Sequence, residues 1–380
     1  MTTSRFVVVA FVSLMLASQH ARAVSLSDGE TAEPGASDYE ITGTVFFGAG
    51  EYSGRITGTG TAVIETGGNT AVCVFSNGEN SYSGGTIISN AAWRVTENGA
   101  TGTGKITIGL QASYFLVAGN ATVIANEIEV MQASNANYDK ASIQMPIWHA
   151  VEFTGGIRSH GALAVQPSRL DTSTGKGGMT VYNCDVRCCA NDDGTASTYY
   201  YPWGYGTNIF LKGVVCDRIY LGQNSSELGW YEFHSPSNGI GQLRVRNGRI
   251  SIFADDVSPN GGLLFTYAGE YEGRSTVDLY GHDQVFTYIS DSDYQKNGYL
   301  GGRKCLRSDE PARVTLTGAG MTSGGTYYKC MTNVEWKLEG AVSFCLDAKP
   351  FKGFTLGFSK ATHTTTGDLV ISNGTLNINN

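Results

Sequence analysis

One eight-residue unit returns three times along this chain at widely separated positions. ISNAAWRV spans Ile88–Val95, VRNGRISI spans Val245–Ile252 and ISNGTLNI spans Ile371–Ile378. Each copy carries an apolar residue at its first, sixth and eighth positions, with Asn-Ala or Asn-Gly at the third and fourth. A β-sandwich has no need to reuse one turn sequence at such distances. Stacked coils do, because equivalent corners and inward-facing residues lie above one another. The repetition constrains shape and is silent about chemistry.

Met1–Ala23 stands apart from the rest of the chain. Arg5 supplies a basic region, Phe6–Ala17 is an unbroken run of mainly apolar residues, and SQHARA ends in an Ala-x-Ala pattern. These are the parts of a secretory signal peptide cleaved after Ala23, and the run is too short to span a bilayer comfortably. No later stretch is apolar for long enough to span one, so the mature chain is expected to lack a transmembrane helix. The expected destination is secretion, the cell surface or the outer membrane. Loss of Arg5 and Arg22 takes the basic side chains from 26 to 24 against 34 acidic ones, moving the net charge from −8 to −10. Scattered acidic charge gives no footprint for nucleic acid or anionic membrane.

Glycine accounts for 50 of 380 residues, about twice the usual share. With 41% hydrophobic residues and only 8 prolines, the chain can still bury apolar surface. Many short strands joined by tight turns fit that composition. Val24–Glu40, with five acids and no period, reads as an exposed polar leader. From Ile41 to Asn380 the pattern is strand, turn, strand, in a single domain. Lys105–Ile108, Gln242–Val245, Thr276–Leu279, Arg313–Leu316 and Asp368–Ile371 all place apolar residues on one strand face. Ala118–Ala133 admits a short helix instead. The Asn-Gly pairs at 77–78, 247–248 and 373–374 suit hairpin turns or solenoid corners equally well.

Phe47–Ile108 resembles the autotransporter-associated β-strand repeat of bacterial passenger-type proteins. The matching elements are ITGTG (Ile56–Gly60), NSYSGGT (Asn80–Thr86), ISNAAWRV (Ile88–Val95) and GTGKITI (Gly102–Ile108). STVDLYGHDQVF (Ser275–Phe286) resembles a further piece of it, with Tyr280 where Asn is usual. Ala91 and Trp93 replace the usual Gly and Leu. The clear matches cover about a third of the chain. The resemblance implies an all-β fold, a right-handed parallel β-helix or β-solenoid. With rungs of roughly 20–27 residues it would hold on the order of 13–18 coils. At about 4.8 Å per strand the rod would be roughly 60–85 Å long. Residues 133–239 match poorly and are rich in Tyr, Trp and Cys.

That diverged section holds the candidate binding patch, YYYPWGYG. Tyr199, Tyr200, Tyr201, Trp203 and Tyr205 are too many aromatics for one face of a strand. They form either an exposed platform for a glycan or a surface protein, or an insertion folded back over the wall. Eight cysteines in an exported chain point to disulfides, with Cys184, Cys188, Cys189 and Cys216 the nearest candidates. Asp192-Asp193 and Asp255-Asp256 are the acidic pairs a glycoside hydrolase would need, but both also read as turns. Asp291 and Asp293 lack the Gly-spaced pattern of a calcium solenoid. Arg244, Arg246 and Arg249 suit an outward coil face. His149, His160, His234, His282 and His363 have no metal spacing. No catalytic, metal or cofactor residue is assigned. The expected function is a structural or adhesive module, with a polysaccharide lyase or glycoside hydrolase on the same scaffold as the alternative. An autotransporter normally continues into a membrane barrel, and none follows here. Release from the cell and a sequence extending past Asn380 both remain open.

Overall fold

Alternation decides how each short segment folds. In Thr44–Phe47 the side chains of Val45 and Phe47 are buried, while Thr44 and Phe46 are half-exposed. Ser113–Val117, Met179–Tyr182 and Thr207–Phe210 repeat that pattern. A period of two with one buried face makes each piece a strand over a shared core. The computed structural model describes residues 23–109, 113–131, 141–146, 149–166, 178–188, 199–202, 206–221, 229–236, 239–245, 248–265, 275–291, 304–318, 329–330, 336–347, 355–359, 364–373 and 375–379. Among the described residues there is no helix, and so none long and apolar enough to cross a membrane.

Most of the described strands stack in parallel into three columns; two short stacks stand apart, Val24–Leu26 with Tyr39–Ile41 and Ile56–Gly58, and Lys329–Cys330 with Thr355–Ser359 and Thr375–Asn379. The first column rises from Thr31–Ala32 through Thr44–Phe47 and Ile106–Ile108 to Val186–Cys188. The second holds eleven strands, from Gly50–Tyr52 to Tyr288–Asp291, each paired with the next. Ten steps at about 4.8 Å make it roughly 48 Å tall. The third runs from Val123–Ile124 to Trp336–Asp347. This is a parallel β-solenoid, and the hairpin reading of the Asn-Gly pairs is excluded. Coil length is more variable than the sequence suggests. Thr44 finds its partner one coil on at Thr61, whereas Ile128 has to reach Ile157. The extra residues fall between strands, and the walls stay paired, with register shifts only at Ala91–Ala92, Ser308–Ala312 and Leu346–Asp347 among the described residues.

Each copy of the repeated unit spans the end of one strand and the start of the next. In the first, Asn90 turns the chain with φ of 47° between Thr86–Ile88 and Ala91–Val95. In the second, Gly248 with φ of 150° opens Gly248–Ile252 after Gly239–Val245. The third joins Leu369–Asn373 to Thr375–Asn379. The first copy leads from the first column to the second, and the second copy from the second to the third. One sequence thus serves different corners.

Two expectations are corrected. Val24–Glu40 is no leader: Val24–Leu26 pairs with Tyr39–Ile41, and Thr31–Ala32 with Phe46 and Phe47. It forms the first coil, its few apolar side chains enough to cover the next one. The described part of Ala118–Ala133 forms two short strands, Val123–Ile124 and Ile128–Val130, with no helix.

Aromatic side chains fill the interior in ladders. Phe47, Phe75, Trp93 and Phe115 follow one another with ring centroids 5.0, 5.5 and 5.1 Å apart. Phe153, Tyr182, Phe210 and Phe233 do the same along the third column at 6.0, 4.7 and 4.9 Å. Such ring contacts add about 0.5–1.5 kcal/mol per pair beyond burial. Buried amides satisfy the backbone at the corners. Asn80 accepts from Ile56 N at 2.8 Å and donates to Ala100 O at 2.9 Å. Asn126 accepts from Thr101 Oγ1 at 2.6 Å and donates to Gly102 O and Gly104 O. Gln284 accepts from Val257 N and donates to Ala254 O. Replacing Asn126 by Ala leaves these groups unpaired in the interior and should cost about 1–3 kcal/mol in urea unfolding. Asn120→Ala, which removes an exposed bond to Glu97 Oε1, should cost under about 0.5 kcal/mol.

Candidate functional site

The tyrosine run is wall and core rather than loop. Tyr199–Pro202 is a strand of the second column, so the pleat sends successive side chains to opposite faces. Tyr200 points inward, in register with Leu163 below and Ile219 above, and is 0% exposed. Its ring lies edge-on to Tyr182 and Phe210, at 6.2 and 6.0 Å. Burial holds its phenol well above the usual tyrosine range. Tyr200 is therefore a core residue, and its assignment to a binding patch is withdrawn.

Tyr199 and Tyr201 point outward, yet only Tyr199 keeps appreciable exposure. Tyr201 is 5% exposed, stacked on Tyr220 at 4.6 Å and packed with Ala162 and Ala164. The Arg218 guanidinium sits 5.2 Å above the Tyr199 ring and donates to its hydroxyl at 3.3 Å. One coil on, Arg244 lies 5.0 Å above Tyr220 and donates to its hydroxyl at 2.9 Å. Arg244 Nε also donates to Gln242 Oε1, and Gln242 Nε2 to the Tyr288 hydroxyl. A Cβ at Gly262 would fall 2.1 Å from Tyr288 Cζ, so the ring needs the glycine beneath it. The result is an aromatic and arginine ladder sealed onto the wall. Trp203 and Tyr205 lie outside the described residues. Arg244, expected on a solvated face, is half-buried in this ladder; Arg246 is outside the described residues.

The cysteine expectation also changes. Cys184, Cys188 and Cys216 are buried, and no disulfide joins the described cysteines. Cys188 and Cys216 occupy inward positions in register with Ser159 and Ile240, where they serve as small apolar groups. Burial pushes the Cys184 thiol up to about 11. Cys189 lies outside the described residues.

The acidic pairs divide similarly. Asp192, Asp193 and Asp293 are outside the described residues. Asp255 Oδ1 accepts from Asp283 N at 3.0 Å and meets His282 Nδ1 at 3.1 Å, while Asp256 Oδ1 accepts from Val285 N at 3.1 Å. Both carboxylates hold the corner of the next coil. Asp256 takes φ of 51°, the left-handed geometry of such a corner. Among the described residues no three His, Cys, Asp or Glu side chains are grouped to hold a metal. His149 is bonded to Ala121 O at 2.6 Å, and His363 is outside the described residues. His160 lies 2.8 Å from Glu129, which also pairs with Lys105. The Lys105 ammonium, then His160, hold the Glu129 carboxyl below its usual range.

The outer face of the third column presents a surface of which the sequence singled out only Arg249 and Tyr280. Trp230 is 55% exposed, beside Arg249 in register. Arg249 Nη2 donates to Asp278 Oδ2 at 3.1 Å and to the Tyr280 hydroxyl, with its guanidinium 5.8 Å above the Tyr280 ring. Arg307 Nε reaches Asp278 Oδ2 from the other side at 3.0 Å, and its Nη2 donates to Asp309 at 2.9 Å. His234, Phe253 and Tyr280 stack in succession at 4.6 and 4.5 Å, climbing the rod. Tyr280 adopts φ of 45°, a conformation that costs a non-glycine residue roughly 1–3 kcal/mol. Met179, Trp230 and Tyr280 are all large apolar groups left exposed along this face. The available signals were the Trp-x-Glu-x-His alternation of Trp230–His234 and a Tyr at a corner position.

A scan against protein-family models, a search of curated proteins and a search of solved structures each returned no match.

Tyr200→Ala should cost about 3–5 kcal/mol in denaturant unfolding, as for a large aromatic removed from a core. Tyr199→Ala should cost about 1 kcal/mol or less. A carboxyl with a depressed folded pKa adds stability above its unfolded pKa, and that stability is lost as pH falls through the folded value. Acid titration of unfolding should therefore show a Glu129 contribution, and Glu129→Gln should flatten that limb.

Proposed function

We propose that this chain is an exported β-solenoid of the passenger type, acting as a structural and adhesive module at the cell surface or after release. The observation that carries the reading is that the first strand, Val24–Leu26, begins directly after the expected cleavage point at Ala23 and pairs in parallel with Tyr39–Ile41 one coil on. A mature protein cut there starts with its first coil already in place. A parallel stack holds its inner face with apolar ladders and leaves the outer side chains of every coil free to vary. Such a scaffold displays contacts over tens of ångströms without a catalytic cleft. Of the two acidic pairs, the one among the described residues, Asp255 and Asp256, is bonded to backbone N–H groups. The partner classes proposed are glycans and surface proteins, met on the outer faces.

The decisive measurement follows the native protein. N-terminal sequencing of exported material should begin at Val24, and intact producing cells should expose the chain to added protease or release it to the medium. Deleting the chain should reduce attachment to its target surface. Retention in the cytoplasm with Met1 intact would overturn the reading.

A further inference from the structure

We infer that the outer face of the third column, centred on Trp230, Arg249, Asp278 and Tyr280, is a binding site for a neutral polysaccharide chain. The inference deepens the adhesive reading and rests on it for its biological setting. The binding itself is a property of the purified protein.

Three observations carry it. Trp230, the largest side chain a protein has, is left 55% exposed on a rigid wall rather than a loop. An exposed indole offers an apolar face of the kind that packs on the C–H face of a sugar ring. Beside it, the polar groups are fixed before any ligand arrives. Asp278 is 1% exposed and clamped between Arg249 and Arg307, so its carboxylate and their guanidinium edges are held in one array. Asp278 is itself covered, so it orients the partly exposed guanidinium edges, from which sugar hydroxyls can accept. Finally, Tyr280 holds a left-handed backbone that Asn or Gly would adopt with less strain, and its ring packs on Phe253 under the Arg249 guanidinium. Keeping a tyrosine there places a ring in this face.

Charge selects the ligand. Both arginines are already paired with carboxylates, Arg249 with Asp278 and Arg307 with Asp278 and Asp309. No unpaired cation of this group waits for an anion, and the chain carries a net charge of −8. A polyanion would be repelled. A protein partner would also use Trp, Tyr and Arg, and failure of every neutral polymer to bind is the outcome that would favour it over a polysaccharide. The stacked series from His234 to Tyr280 climbs from coil to coil along the rod.

The test is affinity electrophoresis and calorimetry of the mature protein with soluble β-1,4-glucan, β-1,3-glucan and galactomannan, with polygalacturonate as the anionic control. Retardation by at least one neutral polymer and none by polygalacturonate is expected. Trp230→Ala should weaken binding about 10-fold or more. Tyr280→Asn removes the ring while suiting the left-handed corner, so it should keep or raise the melting temperature and still lose binding. Ile87→Ala, an exposed apolar residue of the first column, should change neither. No retardation by any neutral polymer, preference for polygalacturonate, or full binding by Trp230→Ala and Tyr280→Asn would each overturn the site. Polymer binding that is lost in these variants without any change in cell attachment would sink the adhesive reading alone. Attachment that needs the chain but survives both variants, with polymer binding also intact, would sink the site alone.

Discussion

Everything in this molecule depends on one constraint: each strand hydrogen-bonds in parallel to its equivalents in the coils before and after it. Parallel register places like position over like position, so an inward residue stacks on an inward residue for the length of the wall. Phe153, Tyr182, Phe210 and Phe233 form a ladder because their strands pair in step. The same rule acts outward, where Tyr199, Arg218 and Gln242 share one row. A slip of a single position would exchange the two sets throughout. Insertions therefore fall between strands, and the short coil from Thr44 to Thr61 shares one frame with the long coil from Ile128 to Ile157.

Corners are where that constraint is met chemically. The chain must turn sharply between columns while keeping its backbone groups bonded, and two devices serve. Left-handed residues such as Asn90 and Asp256 bend the chain, and buried amides such as Asn80, Asn126 and Gln284 complete hydrogen bonds the strands cannot supply. This accounts for the Asn- and Gly-rich composition without any functional role. It also explains why Asp255 and Asp256 look catalytic in sequence and behave as joints in the fold. Tyr280 departs from this pattern, since a bulky ring occupies a position where a small residue would be less strained.

The fold was largely legible because it rests on local signals repeated many times. Period-two alternation reports strands, the Asn-Gly pairs report turns of either kind, and the recurring octapeptide is what reports stacking. Polarity marked Val24–Glu40 as exposed, which it largely is, but did not reveal its paired strands; a terminal coil covers only one neighbour and needs few apolar residues. Within the tyrosine run, composition flagged the right segment but not its faces. The pleat buried Tyr200, and the neighbouring coil covered Tyr201 through Tyr220.

What the sequence determined by itself is the repeat, the strand content and the residues with unusual character. Those follow from short-range spacing, which survives in one dimension. Which side chains meet was decided only in three dimensions. Trp230, Arg249, Asp278 and Arg307 come from four successive strands of the third column yet share one patch, because each coil returns the chain to the same wall one strand spacing further on. The length of every intervening loop enters that result, and no local pattern encodes it.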